Sequence, residues 1–112
     1  MDEEVGTLMV TVTHDDNDNR ASVSAAGEVD IHTCGQLENA IVALAGEGVH
    51  TVTLDLGSVA FIDSSGLRAL VVGHKALEEH GGALVVSNPS PTAARLLEVT
   101  GLDALFRGTS AA

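Results

Sequence analysis

The chain has 112 residues, and its 16 Asp and Glu residues against 5 Lys and Arg residues give a formal net charge of −11. Apolar residue types make up 45% of the chain, which is enough for one packed core and too little for a two-domain enzyme. Cations are few, and Phe61 and Phe106 are the only aromatic residues. Direct nucleic-acid binding, which needs clustered cations or aromatic stacking platforms, is therefore not expected.

The N-terminus and the lone cysteine indicate where the protein works. The chain starts Met1-Asp2-Glu3-Glu4, opposite in charge to the start of a secretion signal. No apolar run approaches the roughly 18 residues that a membrane span requires. Cys34 is the single cysteine, so no intramolecular disulfide can form. We therefore expect a cytoplasmic protein with no membrane attachment, and we interpret Cys34 as a plain buried thiol rather than a redox site.

The first third of the chain changes from a strand pattern to a helix pattern. Apolar and polar residues alternate over 8–12 and 21–25, which predicts two strands joined by a hairpin turn. A helical apolar stripe then runs over 37–44. We predict that Thr33 and Gln36 form a capping box at the start of this helix, with Asp30 as the rival start.

Two further strand and helix pairs follow. Residues 51–56 alternate as a third strand, and a second helix is predicted from Ser64 to about Gly81. Residues 83–86 predict a fourth strand. A third helix then starts after Ser90, as its N-cap, with Pro91 at its first position, and it ends at Gly101.

This order of elements predicts an α/β fold, with a mixed, mainly parallel sheet of four to five strands and helices packed against it. In such sheets, the loops that leave the carboxyl ends of the strands gather at one edge. We therefore expect residues 27–30, 58–64 and 87–90 to be neighbours. That edge is the candidate site.

The sequence lacks the residue patterns that enzymatic and metal chemistry need. No glycine-rich phosphate loop is present, and the five histidines do not pair at metal-ligand spacing on a helix. His74 lies on the apolar stripe of the second helix, which is typical of a buried structural histidine. It is also ten residues from Ser64, or about 15 Å along the helix, so only His32 is left as a base for a hydrolase using Ser64.

The most informative segment is 54–67, which predicts a strand, a short apolar connection and then Asp63-Ser64-Ser65-Gly66 at a helix start. Capping by Asp63 or Ser64, and close packing at Gly66, explain these four residues structurally. A serine at a helix N-terminus is also where a phosphate is best tolerated. Free N–H groups and the helix dipole stabilise its added charge of about −1.5 to −2 there.

This segment resembles the phosphorylation segment of the anti-sigma factor antagonists, bacterial regulators built on the STAS domain. Residues 27–30, Gly-Glu-Val-Asp, are similar to the family's Gly-Glu-hydrophobic-Asp motif, and 88–91 with 100–102 are similar to its closing segment. The resemblance covers residues 7–107. It implies an acidic N-terminal tail at 1–6, one STAS domain at 7–107 and a C-terminal tail at 108–112. Family members commonly continue into a further C-terminal helix, which we expect to be missing here.

The resemblance also implies a function. An anti-sigma factor with serine kinase activity would bind the unphosphorylated chain and release its sigma factor, and a serine phosphatase would reverse the phosphorylation that ends this binding. Ser64 matches the phosphorylated serine, and Asp63 the acidic residue before it. Asp30 matches a position near the kinase-facing surface, although an N-cap role explains it equally well. Ser65, the second choice as acceptor, and Gly66 complete the expected partner-binding residues.

By this interpretation the chain is a binding protein and not an enzyme, and ATP and Mg²⁺ belong to its partner. It needs no cofactor or metal of its own, and we expect a monomer or a weak dimer. The alternative within the same fold is a stand-alone STAS scaffold or accessory subunit, in a stress-sensing assembly or beside a lipid transporter, with Ser64 acting only as a cap. The alternative outside it is a small enzyme using Ser64 and His32.

Overall fold

The computed structural model describes residues 7–15 and 19–106. The elements within them are β1 (Leu8–His14), β2 (Arg20–Val29), α1 (Cys34–Gly46), β3 (Thr51–Ile62), α2 (Ser64–Glu78), β4 (Ala83–Ser87) and α3 (Pro91–Thr100). They form one mixed sheet in the order β1-β2-β3-β4, in which β1 is antiparallel to β2 and the other neighbours are parallel. The predicted α/β fold is confirmed, with four strands in the described residues. The predicted tails at 1–6 and 108–112, and the tip of the hairpin turn, lie outside those residues.

The third strand is longer than the sequence predicts. β3 continues to Ile62, so the prediction of an apolar connection after Leu56 was wrong. Its last residues pair with the end of β2 across two register shifts, between Ser24 and Ala26 and between Gly27 and Glu28. Such shifts let a strand bend and still keep its partner. Gly27 has a φ of +118°, and a side chain there would collide with the Thr7 carbonyl oxygen.

The core is one cluster of apolar side chains shared by the sheet and the helices. Val52, Leu54 and Leu56 of β3 are fully buried, in keeping with the period of a strand that has one buried face. The two helices α1 and α2 pack against each other closely. A Cβ added at Gly73 of α2 would lie 2.7 Å from Cγ2 of Ile41 in α1.

His74 is the buried structural histidine that its place on the apolar stripe predicts. Only 7% of its surface is exposed. Its Nδ1 accepts a hydrogen bond from the Leu84 N–H at 3.2 Å, and its ring meets the Phe106 ring edge-on with 5.7 Å between centroids. It ties α2 to β4 and to the segment after α3.

The predicted capping box of α1 is absent. Thr33 occupies the N-cap position, but its side chain makes no cap hydrogen bond. Its hydroxyl donates to the Glu28 carbonyl at 2.7 Å. The Gln36 amide donates to the Leu8 carbonyl at 3.3 Å, because β1 lies within reach of this helix face. The rival start, Asp30, binds the backbone N–H groups ahead of the helix instead.

The start and end of α3 agree with the prediction. The Ser90 hydroxyl accepts from the Ala93 N–H at 3.2 Å, Pro91 is the first helical residue, and Gly101 ends the helix in the left-handed conformation with φ 78°. Turns then lead to Phe106, whose carbonyl accepts from the Val86 N–H of β4 at 2.9 Å. The residues after Phe106, where a further helix is expected to be missing, lie outside the described part. Among the described residues, no helix combines the length and apolarity needed to cross a bilayer.

Candidate functional site

The carboxyl ends of β2 and β3 bring the two acidic motifs together. The strands are parallel and remain paired, across two register shifts, as far as Val29 and Ile62. The next residues in the chain are Asp30 after Val29 and Asp63 after Ile62. The Asp63 N–H also donates to the Val29 carbonyl at 3.3 Å. The predicted proximity of residues 27–30 to 58–64 is therefore confirmed, although most of 58–64 is strand rather than loop.

The third predicted loop, 87–90, lies beside the middle of β3 rather than at its end. β4 ends at Ser87, which is in register with Asp55, and the Ser90 N–H donates to the Leu56 carbonyl at 3.1 Å. The Asp55 carboxylate fixes this loop by accepting from the Asn88 side chain at 3.3 Å. Because β3 continues to Ile62, this loop is separated from Asp30 and Asp63 by the last part of the strand, and the prediction that it neighbours them was wrong.

Asp63 is the N-cap of α2. It has extended backbone, and its Oδ1 accepts hydrogen bonds from the Ser65 N–H at 2.9 Å and the Gly66 N–H at 3.3 Å. These are two of the first N–H groups of a helix, which have no partner inside the helix itself. Of the two caps considered, Asp63 or Ser64, the structure has Asp63, which leaves the Ser64 hydroxyl without a capping role.

Ser64 is the first residue of α2, and its side chain is exposed. Ser65 is half-buried and lies one residue further into the helix. The difference in exposure favours Ser64 as the residue that another protein can reach.

Gly66 is buried where α2 crosses the ends of β2 and β3. A Cβ at this position would lie 2.7 Å from Cγ1 of Ile62 and 2.8 Å from Cγ1 of Val29. Both contacts are closer than side-chain carbons normally approach. The absence of a side chain at Gly66 therefore lets the start of α2 pack closely against the strands, and this packing sets the position of Ser64.

Asp30 organises the turn between β2 and α1. Its Oδ1 accepts from the His32 N–H at 2.9 Å and the Thr33 N–H at 3.1 Å, and the Thr33 hydroxyl lies 3.2 Å away. Desolvation acts to raise the pKa of Asp30, but the hydrogen bonds from His32 and Thr33 outweigh it, with a smaller contribution from the charge of His32, and hold this pKa below its ordinary value. The turn is therefore built around an ionised carboxylate.

Exposed apolar side chains surround the acidic pair. Ile31, next to Asp30, is 69% exposed, and Phe61, two residues before Asp63, is 45% exposed. On the α3 side, an open groove of about 450 Å³ is lined by Ile62, Thr92, Arg95, Leu96 and Val99. Exposed apolar residues gathered around a polar site are typical of protein interaction surfaces.

Sequence reasoning missed these apolar residues. The one signal for them was that Ile31 and Phe61 are large apolar residues directly beside the two acidic motifs. The hydrolase alternative gains nothing from the geometry, because no hydrogen bond joins His32 to Ser64 in the described residues. Nor does any group of three or more His, Cys, Asp or Glu in that part of the chain have the arrangement of a metal site.

Comparison with known proteins identifies the family. A family model described as "Mlab, STAS domain" matches residues 12–107. An anti-sigma-B factor antagonist of Staphylococcus epidermidis is 37% identical over 96 residues, which cover 86% of each chain. The crystal structure of an anti-sigma factor antagonist from Mycobacterium paratuberculosis is similar, with a TM-score of 0.74 and 32% identity over 89% of this chain and 83% of that one. The unphosphorylated form of the anti-sigma factor antagonist SpoIIAA has the same fold, with a TM-score of 0.76 and 23% identity over 87% of this chain and 84% of that one. The chain therefore belongs to the STAS domain family, in its group of anti-sigma factor antagonists.

Proposed function

We propose that this chain binds an anti-sigma factor with serine kinase activity and thereby frees a sigma factor, and that phosphorylation of Ser64 ends the binding. The relatives are named as antagonists of anti-sigma factors, and we carry that role over to this chain. The observation that carries the phosphorylation step is the exposed Ser64 side chain at the first position of α2, beside a cap that Asp63 already supplies.

The chemistry requires little of this chain. The γ-phosphoryl group of ATP passes to the Ser64 oxygen, the hydroxyl proton is lost, and ADP leaves. ATP, Mg²⁺ and the catalytic groups belong to the kinase, and a phosphatase restores the hydroxyl by hydrolysis. The Ser64 side chain is exposed and lies at the N-terminus of α2, so a phosphate can be added without unfolding the helix.

The surface around Ser64 supports a protein partner. Ile31 and Phe61 offer exposed apolar area next to Asp30 and Asp63, and interfaces commonly combine apolar anchors with a polar rim. We propose Asp30, Asp63, Ser64, Ser65 and Gly66 as the centre of the contact, with Gly66 acting through the position it gives α2. The −11 net charge favours a partner with a basic surface.

The switch follows from the charge placed in this contact. A phosphate beside the Asp63 carboxylate adds about −1.5 to −2 charges to an interface that excludes water. Such a charge costs several kcal/mol when the partner offers no matching cation. A loss of about 4 kcal/mol weakens affinity roughly a thousandfold, which is sufficient to end the binding without refolding the chain.

The test compares Ser64 with its neighbour. Calorimetric binding to the purified anti-sigma factor is measured for the wild type, Ser64→Ala, Ser64→Glu and the matched control Ser65→Ala. Both serines lie in the proposed contact, so we expect each alanine variant to lose no more than about threefold in affinity with its hydroxyl, and Ser64→Glu to lose at least tenfold through its added charge. Equal affinity for all four would overturn the switch.

A second measurement addresses the phosphoryl transfer. The anti-sigma factor is incubated with ATP, Mg²⁺ and the chain, and the modified residue is located by mass spectrometry. We expect phosphate on Ser64 in the wild type and in Ser65→Ala, and none in Ser64→Ala. Modification of Ser65 instead would move the site by one residue.

The alternative function is that of a stand-alone scaffold or accessory subunit with no phospho-switch. One observation favours it: the matching family model is described by the name Mlab rather than as an antagonist. It predicts that Ser64→Ala and Ser64→Glu bind their partner alike. In either role we propose a cytoplasmic protein that works as a monomer or a weak dimer.

A further inference from the structure

Arg68 is an exposed cation on α2, one helical turn beyond Ser64. Among the described residues it has no ion pair. Its guanidinium is therefore available to a new anion near the start of the helix. It is also the first cation after Ser64 along α2, followed by Lys75.

The spacing brings the two side chains together. Residues i and i+4 of a helix lie on the same face, with about 5 to 6 Å between their Cβ atoms. Helical side chains tilt towards the N-terminus, so the long Arg68 side chain extends over the turn that contains Ser64. An acidic group N-terminal to a cation at this spacing is the favourable order. A guanidinium can also bind two phosphate oxygens at once.

The carboxylates at this edge are already engaged elsewhere. The Asp63 Oδ1 accepts from the N–H groups of Ser65 and Gly66. The Asp30 Oδ1 accepts from those of His32 and Thr33. Neither carboxylate forms an ion pair with Arg68 in the described residues.

We propose that Arg68 binds the phosphate of phosphorylated Ser64 within the same chain. This inference rests on the proposed function, since it requires phosphate at Ser64. The pairing holds the phosphate along the surface of α2, and it removes Arg68 from the surface that a partner would meet. Phosphorylation then changes two groups at the contact: a new anion appears, and an existing cation is occupied.

The test installs the phosphate without a kinase. The full chain is produced with phosphoserine encoded at position 64, and the second ionisation of the phosphate, which ordinarily has a pKa of about 6, is followed by ³¹P NMR. The variants are Arg68→Gln, Arg68→Lys and the matched control Lys75→Gln. Lys75→Gln makes the same change in net charge on the same helix but lies about 16 Å from Ser64, beyond the Debye length of about 8 Å at physiological salt.

A cation that binds the phosphate stabilises its dianion, so removal of that cation raises the phosphate pKa. We expect Arg68→Gln to raise it by a few tenths of a unit, Arg68→Lys by less, and Lys75→Gln not measurably. The shift should shrink in 1 M salt. All variants share the other titratable and charged side chains near this edge, which include Glu28, Asp30, His32, Asp63 and Arg95.

Two results would overturn the pairing: an unchanged phosphate pKa in Arg68→Gln, or equal shifts in Arg68→Gln and Lys75→Gln. Arg68 is exposed, so the unphosphorylated variants should unfold at the wild-type temperature, which serves as the folding control. Because the phosphate is encoded, a kinase that ignores Ser64 would contradict the proposed function and leave this titration unaffected.

Discussion

Asp30 and Asp63 occupy equivalent positions in neighbouring parallel strands. Each comes directly after a member of the pair Val29 and Ile62. The Asp30 Oδ1 accepts from two backbone N–H groups just before α1, and the Asp63 Oδ1 accepts from two in the first turn of α2. The edge of the sheet therefore carries two fixed carboxylates close to Ser64. A phosphate on Ser64 adds negative charge beside these two carboxylates, which is the change that a charge-based switch needs.

The Asp63 cap of α2 should contribute measurably to the free energy of unfolding. Asp63→Ala leaves the N–H groups of Ser65 and Gly66 without their acceptor, and we expect the free energy of unfolding in urea to fall by about 1 kcal/mol. Asp63→Asn is the matched control, because asparagine caps helices as well as aspartate does, and it should stay within about 0.5 kcal/mol of the wild type. An equal loss in both variants would mean that the charge of Asp63, rather than its cap, stabilises α2.

A side chain at Gly66 should not be accommodated. Gly66→Ala places a Cβ 2.7 Å from Ile62 Cγ1 and 2.8 Å from Val29 Cγ1, and such overpacking typically costs about 1 to 3 kcal/mol. We expect a loss of this size in urea unfolding, with weaker partner binding because the start of α2 must shift.

Gly35 provides the control for Gly66. It lies in the first turn of α1, and a Cβ added there meets nothing within 4 Å. Gly35→Ala should leave stability unchanged or raise it by up to about 1 kcal/mol. If Gly66→Ala behaved like Gly35→Ala, the close contact at Gly66 would not constrain the helix.

Local patterns predicted most of the fold and the central residues of the site. Alternation, helical periodicity and cap residues located every described element, because most of these elements bury one face in the core. They missed the extension of β3 to Ile62, since that stretch pairs with β2 across register shifts that a regular period does not reveal. They placed the α1 N-cap correctly at Thr33 but predicted the wrong hydrogen bonds for it, because Gln36 reaches the Leu8 carbonyl, a contact that depends on where β1 packs. The role of Arg68 was missed because a sequence does not show which acidic side chains a cation pairs with. In the structure Asp63 accepts from helix N–H groups, and no acidic residue of the described part forms an ion pair with Arg68.

The Asp30 carboxylate should make the free energy of unfolding depend on pH. Its pKa is lower in the folded protein than the ordinary value of 3.8, so the unfolded chain binds the proton more readily. The stabilisation is therefore complete above the unfolded pKa and is lost as pH falls through the folded one. We expect the wild type to lose more stability than Asp30→Asn when urea unfolding is compared at pH 7 and pH 3. NMR titration of the Asp30 carboxyl should give a pKa below that of an unfolded peptide containing it. Identical losses in the two proteins would contradict this role.

Ile31 should contribute to partner binding without contributing to the fold. It is 69% exposed beside Asp30, so Ile31→Ser should change the free energy of unfolding by no more than about 0.5 kcal/mol. If its side chain is buried beneath the anti-sigma factor, the loss of that apolar contact should weaken calorimetric affinity about tenfold, or about 1.4 kcal/mol. Val42→Ser is the matched control, since Val42 is also an exposed apolar residue, 39% accessible, but lies further along α1. It should bind like the wild type. Equal affinities for Ile31→Ser and Val42→Ser would exclude Ile31 from the contact and confine the interface to the polar residues around Ser64.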